Sequence, residues 1–85
     1  LSEGEEAYID SLKKVIESDP VDTILVNAYM EWDNIIYTVD PALDLELNQK
    51  ILEVCNKNLE KGGHNKTLDR LRMTKKYHRF LVQAY

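Results

Sequence analysis

The stretch PVDTILVNAYMEWDNIIYTV, residues 20–39, decides the fold of this 85-residue chain. Its apolar residues recur at steps of three and four, which is the period of one face of an α-helix. They are Val21, Ile24, Leu25, Ala28, Tyr29, Trp32, Ile35, Ile36 and Val39. One Asp-Pro pair precedes the stretch and a second follows it at Asp40 and Pro41. We therefore predict a helix that is capped by Asp19, starts at Pro20 and ends before Pro41.

A shorter helix is predicted before this stretch. Ser2 and Glu5 have the spacing of a capping box, which indicates a helix of about 15 residues after them. Its expected apolar face consists of Tyr8, Ile9, Leu12, Val15 and Ile16.

Two more helices are predicted after the stretch. The third begins near Pro41 or Ala42 and ends at the Gly62-Gly63 pair, a strong stop signal. Its expected inward positions are Leu43, Leu47, Ile51, Leu52, Val54, Cys55 and Leu59. The fourth begins near Thr67, and its expected apolar positions are Leu68, Leu71, Met73, Tyr77, Phe80, Leu81 and Ala84.

The predicted fold class is all-α, with about four helices in one domain over residues 1–85. No run of alternating β-branched residues indicates a strand. The connections are short, so consecutive helices should pack as antiparallel neighbours. A small antiparallel helical bundle and a pair of helical hairpins both satisfy this pattern. Because the sequence lacks an initial Met and ends on apolar residues, we expect a fragment of a longer chain.

The composition excludes several classes of protein. The chain is 44% hydrophobic and 31% charged, which is typical of neither disordered nor membrane-embedded proteins. Its apolar runs are far shorter than the roughly 20 residues of a transmembrane helix, so no membrane partner is expected. Cys55 is the single cysteine and cannot form an internal disulfide. A reducing compartment, cytoplasmic or nuclear, is therefore predicted.

Charge is unevenly distributed along the chain. Residues 1–63 hold 14 acidic and five basic residues, a net charge of −9, whereas residues 64–85 hold one acidic and six basic residues, a net charge of +5. The six bases are Lys66, Arg70, Arg72, Lys75, Lys76 and Arg79. Three interpretations follow: the basic helix packs beside the acidic helices, it binds an acidic protein partner, or it binds nucleic acid.

No arrangement typical of catalysis or metal binding is found. Cys55, His64 and His78 lack zinc-site spacing, and the acidic residues do not form a calcium loop. The helical phase of Cys55 predicts a buried structural thiol. The Gly62-Gly63 pair follows a helix, whereas a phosphate-binding loop precedes one. We expect no enzymatic activity, no cofactor and no metal.

The aromatic residues divide into core and edge positions. Helical spacing places Tyr29, Trp32, Tyr77 and Phe80 in the core, whereas Tyr37 and Tyr85 lie near the edges of their stripes. The residues least committed to the core are the candidates for binding a partner. They are Tyr37, Lys75, Lys76, Arg79 and Tyr85.

Several short motifs resemble a known family. They are Asp19-Pro20-Val21-Asp22, Tyr29-Met30-Glu31-Trp32, Glu53-Val54-Cys55 and Arg79-Phe80-Leu81. Their order resembles the helical-repeat region of the Mad3/Bub1 spindle-checkpoint proteins, and the pattern is similar to the wider tetratricopeptide (TPR) and half-a-tetratricopeptide (HAT) class. The resemblance covers residues 19–85. It implies a scaffold that binds peptides or helices without catalysis, and the half-repeat branch implies a setting in RNA processing.

These observations predict a noncatalytic protein-protein interaction module, and the resemblance implies a setting in a checkpoint or another multiprotein complex. An amphipathic peptide laid in a groove is the expected mode of binding. The alternative is a nucleic-acid binder or RNA-processing scaffold that works through the basic C-terminal helix. The oligomeric state stays open.

Overall fold

The computed structural model describes residues 1–62 and 66–84, and it describes the side chains of these residues except Thr67 and residues 77–84. Within this part the chain forms four α-helices. They are α1 (Glu3–Glu17), α2 (Asp22–Ile36), α3 (Pro41–Glu60) and α4 (Lys66–Ala84). The all-α class predicted from the sequence is confirmed.

Helix α1 starts as its sequence predicts. The Glu5 N–H donates to Ser2 Oγ, and the Ser2 N–H donates to Glu5 Oε1, each at 3.1 Å. This reciprocal pair satisfies two N–H groups that the helix itself leaves without partners. Of the expected apolar face, Ile9 and Leu12 are buried. Tyr8 and Val15 are exposed, contrary to the prediction.

Helix α2 begins at Asp22, so the prediction of a start at Pro20 with Asp19 as cap is wrong. The N-cap position is Val21, which offers no side-chain hydrogen bond. Asp19 has a φ of 53°, in the left-handed region that aspartate tolerates better than most residues. The chain uses Asp19 to reverse direction after α1, and an N-cap residue requires extended backbone instead.

The buried face of α2 also differs from the predicted one. Val21, Ile24 and Val39 are 65%, 51% and 60% exposed, although the spacing places them on the core face. Val26 is buried instead. Val21 precedes the helix and Val39 follows it, so neither shares its periodicity. Helix α2 is apolar on more than one side because it packs against both α1 and α3.

The ends of α3 agree with the prediction. Asp40 Oδ1 accepts a hydrogen bond from the Leu43 N–H at 3.1 Å, and Pro41 occupies the first turn. Gly62 ends this segment with a φ of 78°, a conformation that costs glycine little. In α4, Leu68 is buried but Met73 is 59% exposed, against expectation. The predicted core side chains of Tyr77, Phe80, Leu81 and Ala84 lie outside the described residues.

The helices pack in the order of the chain. Helix α1 packs on α2, α2 on α3, and α3 on α4, while any other helix pair in the described segments makes marginal contact at most. Two apolar clusters result. The first cluster, Ile9, Ile36 and Leu47, joins α1, α2 and α3. The second cluster, Val26, Ile51, Cys55 and Leu68, joins α2, α3 and α4.

Candidate functional site

A cleft of about 520 Å³ opens where α1, the end of α2 and the start of α3 meet. Its apolar lining is formed by Leu1, Ile9, Trp32, Ile36, Val39 and Leu43, and its charged lining by Glu6, Asp10, Lys13 and Asp40. We call this feature the cleft. It combines accessible apolar surface with charges, which is the usual composition of a site that binds a ligand or a peptide.

Helix α1 supplies one wall of the cleft. Ile9 and Asp10 lie three and four residues after Glu6, and Lys13 lies four and three residues after them, so the four share one side of the helix. Ile9 belongs to the first cluster and anchors this face to α2 and α3. The charged neighbours of Ile9 are thereby held at the edge of the cleft.

The turn between α2 and α3 forms the opposite wall. The N–H groups of Val39 and Asp40 both donate to the Ile36 carbonyl, at 3.0 and 2.8 Å. This tight turn leaves the Val39 side chain exposed beside the cleft. Asp40 caps α3, so part of the effect of its carboxylate is taken up by the positive end of that helix.

The apolar lining is only partly covered by the fold. Ile9 and Ile36 are buried at its base, whereas Trp32 and Leu43 are half-buried and Val39 is exposed. Side chains in such intermediate positions keep apolar surface in contact with water. Covering this surface with a ligand is favourable, at roughly 25 cal/mol for each Å² removed from water.

The ammonium group of Lys13 lies against the Trp32 ring, the aromatic ring in the lining of the cleft. The Lys13 Nζ atom is 5.2 Å from the centroid of the Trp32 ring, which is the geometry of a cation–π contact. Among the lining side chains, three carboxylates stand against this one basic group. The charged side chains therefore sum to a negative rim.

A second group of charged residues is buried between α2, α3 and α4. We call Asp33, Asp44, Asn48 and Lys75 the polar cluster. Lys75 Nζ lies 3.1 Å from Asp33 Oδ2, and the two side chains are 12% and 5% exposed. Asn48, which is fully buried, donates through Nδ2 to the Lys75 carbonyl at 2.8 Å. These contacts fix α4 against the other two helices.

Burial changes the acidity of this cluster. Loss of solvent is the main effect that raises the pKa of Asp33, a hydrogen bond with Asp44 raises it as well, and Lys75 opposes both; the net result is a rise from the ordinary 3.8 to about 6. A raised carboxyl pKa is common at catalytic sites. However, no member of the polar cluster lines the cleft, and its contacts join helices.

The residues predicted to bind a partner differ in how accessible their side chains are. Tyr37 is 53% exposed and Lys76 is exposed, as expected for accessible residues. Lys75 was expected to be uncommitted, and this is wrong, because its ammonium group is mostly buried in the ion pair with Asp33. The Arg79 side chain and Tyr85 lie outside the described residues. Among the three described side chains of this set, those of Tyr37 and Lys76 are therefore the accessible ones.

Cys55 is buried and carries a free thiol, as its helical phase predicts. Burial raises the pKa of this thiol, which disfavours the reactive thiolate. The described residues include no group of three or more His, Cys, Asp or Glu side chains arranged to hold a metal ion. His64 and the His78 side chain lie outside them. No helix in the described ranges has the length and apolar character needed to cross a bilayer.

Sequence reasoning missed the cleft. The signal in α1 was visible, because Glu6, Asp10 and Lys13 follow one another at helical spacing around Ile9. The sequence assigned Trp32 to the core, and the structure finds it half-buried at the cleft with a cation against its ring. What the sequence could not show is that the turn at Val39 and Asp40 meets this face of α1.

Comparison with known proteins gives no relative from which a function could be transferred. No family model, no curated protein and no solved structure matches this chain.

Proposed function

We propose that this chain is a noncatalytic protein-protein interaction module that binds a short segment of a partner protein in the cleft. The observation that carries the proposal is the partly covered apolar lining, with Trp32 and Leu43 half-buried beside a charged rim. The scaffold around it is fixed by the capped starts of α1 and α3.

The size of the cleft favours a segment over a folded domain. Its volume of about 520 Å³ lies within the range of roughly 300–1,000 Å³ that is typical of concave ligand sites. A cleft of this size accepts a few side chains of a peptide. Tyr37, which is exposed and directly follows the cleft residue Ile36 in the chain, offers area for further contact.

The chemistry of the lining supports binding without catalysis. The described side chains that line the cleft are aliphatic residues, one tryptophan, three carboxylates and one lysine, without a hydroxyl, thiol or imidazole group. The carboxyl group with a raised pKa, Asp33, lies in the polar cluster and is paired with Lys75. A general acid must reach its substrate to act, and Asp33 does not line the cleft.

Selection from a random peptide library, followed by affinity measurement on purified protein, tests the proposal. Leu43→Glu places a charge on the apolar lining at a helix start that tolerates acidic residues. It should weaken peptide binding at least tenfold.

Met73→Glu is the matched control, because it introduces the same charge at an exposed apolar residue of α4. This variant should bind within twofold of the parent chain, and circular dichroism should show both variants folded. Equal losses in the two variants, or no loss in Leu43→Glu, would reject the cleft as the binding site.

The alternative, a nucleic-acid or RNA-processing scaffold, is supported by one observation. Lys66, Arg70 and Lys76 on α4 are exposed, although Lys75 is not available. If these groups contact phosphates, affinity for labelled RNA must fall steeply with salt. Filter binding across a salt series, with Lys76→Glu as the variant, separates this function from the first. RNA affinity that is absent, or insensitive to both changes, would reject it.

A further inference from the structure

We infer that the cleft selects a basic segment of a partner protein, one that places an apolar side chain on the lining and a Lys or Arg against the Trp32 ring, where it displaces Lys13. The inference rests on the proposed function and adds the chemical class of the partner. Three features carry it: the rim charge, the occupied ring face and the mobility expected of Lys13.

The charged rim favours a cation. Glu6 and Asp10 are exposed at the cleft, and neither forms a hydrogen bond or ion pair with another described side chain. Their charges remain available to a partner, whereas Asp40 is partly used in capping α3. A basic segment gains from these carboxylates, and an acidic segment is repelled, which gives selectivity as well as attraction.

The Trp32 ring is already a cation site. Lys13 is exposed, yet its Nζ atom lies 5.2 Å from the ring centroid. Lysine is a flexible, strongly hydrated cation, so an exposed contact of this kind holds it weakly. An arginine from a partner stacks its planar guanidinium group on an indole more effectively. We therefore expect an arginine of the partner to replace Lys13 against the Trp32 ring.

A single peptide segment can contact both the apolar lining and the charged rim of the cleft. Glu6, Asp10 and Lys13 all lie within about one turn of Ile9 on α1. A peptide that presents an apolar side chain next to an arginine therefore reaches both surfaces at once. The occupant is consequently amphipathic as well as basic.

A series of matched peptides tests this partner class. Peptides selected for binding to the cleft are resynthesised with the positions next to their apolar anchor set to Arg, Gln or Glu. Leu1 of the protein is acetylated, so that its amino group adds no charge to the cleft. Binding is followed by the emission of Trp32, the single tryptophan of the chain. The Arg peptide should bind at least tenfold tighter than the Gln peptide, and the Glu peptide weakest.

Protein variants identify the groups responsible. Glu6→Gln with Asp10→Asn should weaken the Arg peptide about tenfold and leave the Gln peptide unchanged. Glu17→Gln with Asp19→Asn is the matched control, since it removes two exposed carboxylates that do not line the cleft. Lys13→Met should tighten the Arg peptide about threefold, because it removes the competing cation.

The outcomes separate the two proposals. If no peptide of any charge responds to Leu43→Glu, the proposed function fails. If the Gln or Glu peptide binds the cleft as tightly as the Arg peptide, or Lys13→Met weakens the Arg peptide, the function stands and the basic partner is overturned. A change in Trp32 emission with protein concentration, without peptide, would assign the cleft to a second copy and also overturn it.

Discussion

The polar cluster and the cleft each place carboxylates around one lysine, and the two groups behave differently because water reaches only one of them. In the polar cluster, Lys75 pairs with Asp33 at 3.1 Å, and both side chains are mostly buried. In the cleft, Lys13 lies over Trp32 and leaves Glu6 and Asp10 without a described partner. The polar cluster therefore uses its charges within the fold, whereas Glu6 and Asp10 of the cleft stay exposed to solvent.

This difference shows why composition alone does not identify a binding surface. The six bases of residues 64–85 suggested a basic site, yet one of them, Lys75, compensates a buried acid. The acidic residues of α1 were not among the predicted site residues, yet two of them border apolar surface that the fold covers only partly. Burial, rather than residue type, decides which charges are free to contact a partner.

The largest effect on the free energy of unfolding should come from two apolar residues of α3, one in the first cluster and one in the lining of the cleft. Leu47 and Leu43 lie one turn apart on α3, but Leu47 is 1% exposed and Leu43 borders the cleft. Leu47→Ala should lower the free energy of unfolding by about 3 to 4 kcal/mol, because it leaves a cavity in the first cluster. Leu43→Ala should cost about 1 kcal/mol, because it widens a surface that water already reaches. Urea denaturation measures both, and similar losses would mean that the cleft is closed in solution.

The next effect compares the two lysines. Lys75→Met should destabilise the fold by about 2 to 3 kcal/mol, below the roughly 3 to 5 kcal/mol typical of breaking a buried pair, because Asp33 can take up a proton when its partner is lost. Lys13→Met should change stability by less than about 1 kcal/mol, since its cation–π contact is exposed. Lys76→Met, at the exposed neighbour of Lys75, is the control for the loss of a charge from α4. Equal stability of the Lys75 and Lys76 variants would show that the ion pair contributes nothing.

The smallest effect is a dependence on pH. The folded chain keeps a proton on Asp33 up to about pH 6, whereas the unfolded chain releases it near the ordinary pKa of 3.8. Between these values the folded state binds more protons, so this group stabilises the fold at low pH and the contribution is lost as pH rises through 6. The free energy of unfolding of the parent chain, relative to Asp33→Asn, should be about 2 kcal/mol higher at pH 4.5 than at pH 7. A difference that is flat with pH, or of opposite sign, would contradict the burial of this carboxylate.

The sequence predicted the elements of the fold better than their faces. The capping box at Ser2, the helix start at Pro41 and the stop at Gly62 are local signals, and each is confirmed because neighbouring residues alone determine it. Helix α2 is different. Its residues are apolar on several sides, so a period of three or four fits more than one face, and the position of α3 selects Val26 over Ile24.

The cleft could not be predicted from the sequence, for a related reason. Glu6 and Asp40 are separated by 34 positions and come together only because α1 and α2 pack side by side and the chain turns tightly after Ile36. The pairing of Lys75 with Asp33 spans 42 positions and depends on the packing of three helices. Periodicity describes one helix at a time and does not contain this information.

The order in which the helices pack also has a kinetic consequence. Each helix contacts the one that follows it, so the loops closed during folding are short and their entropic cost is small. Chains dominated by such local contacts cross their folding barrier within microseconds to milliseconds. A partner present while the chain is being synthesised would therefore meet the folded cleft almost as soon as the four helices are complete.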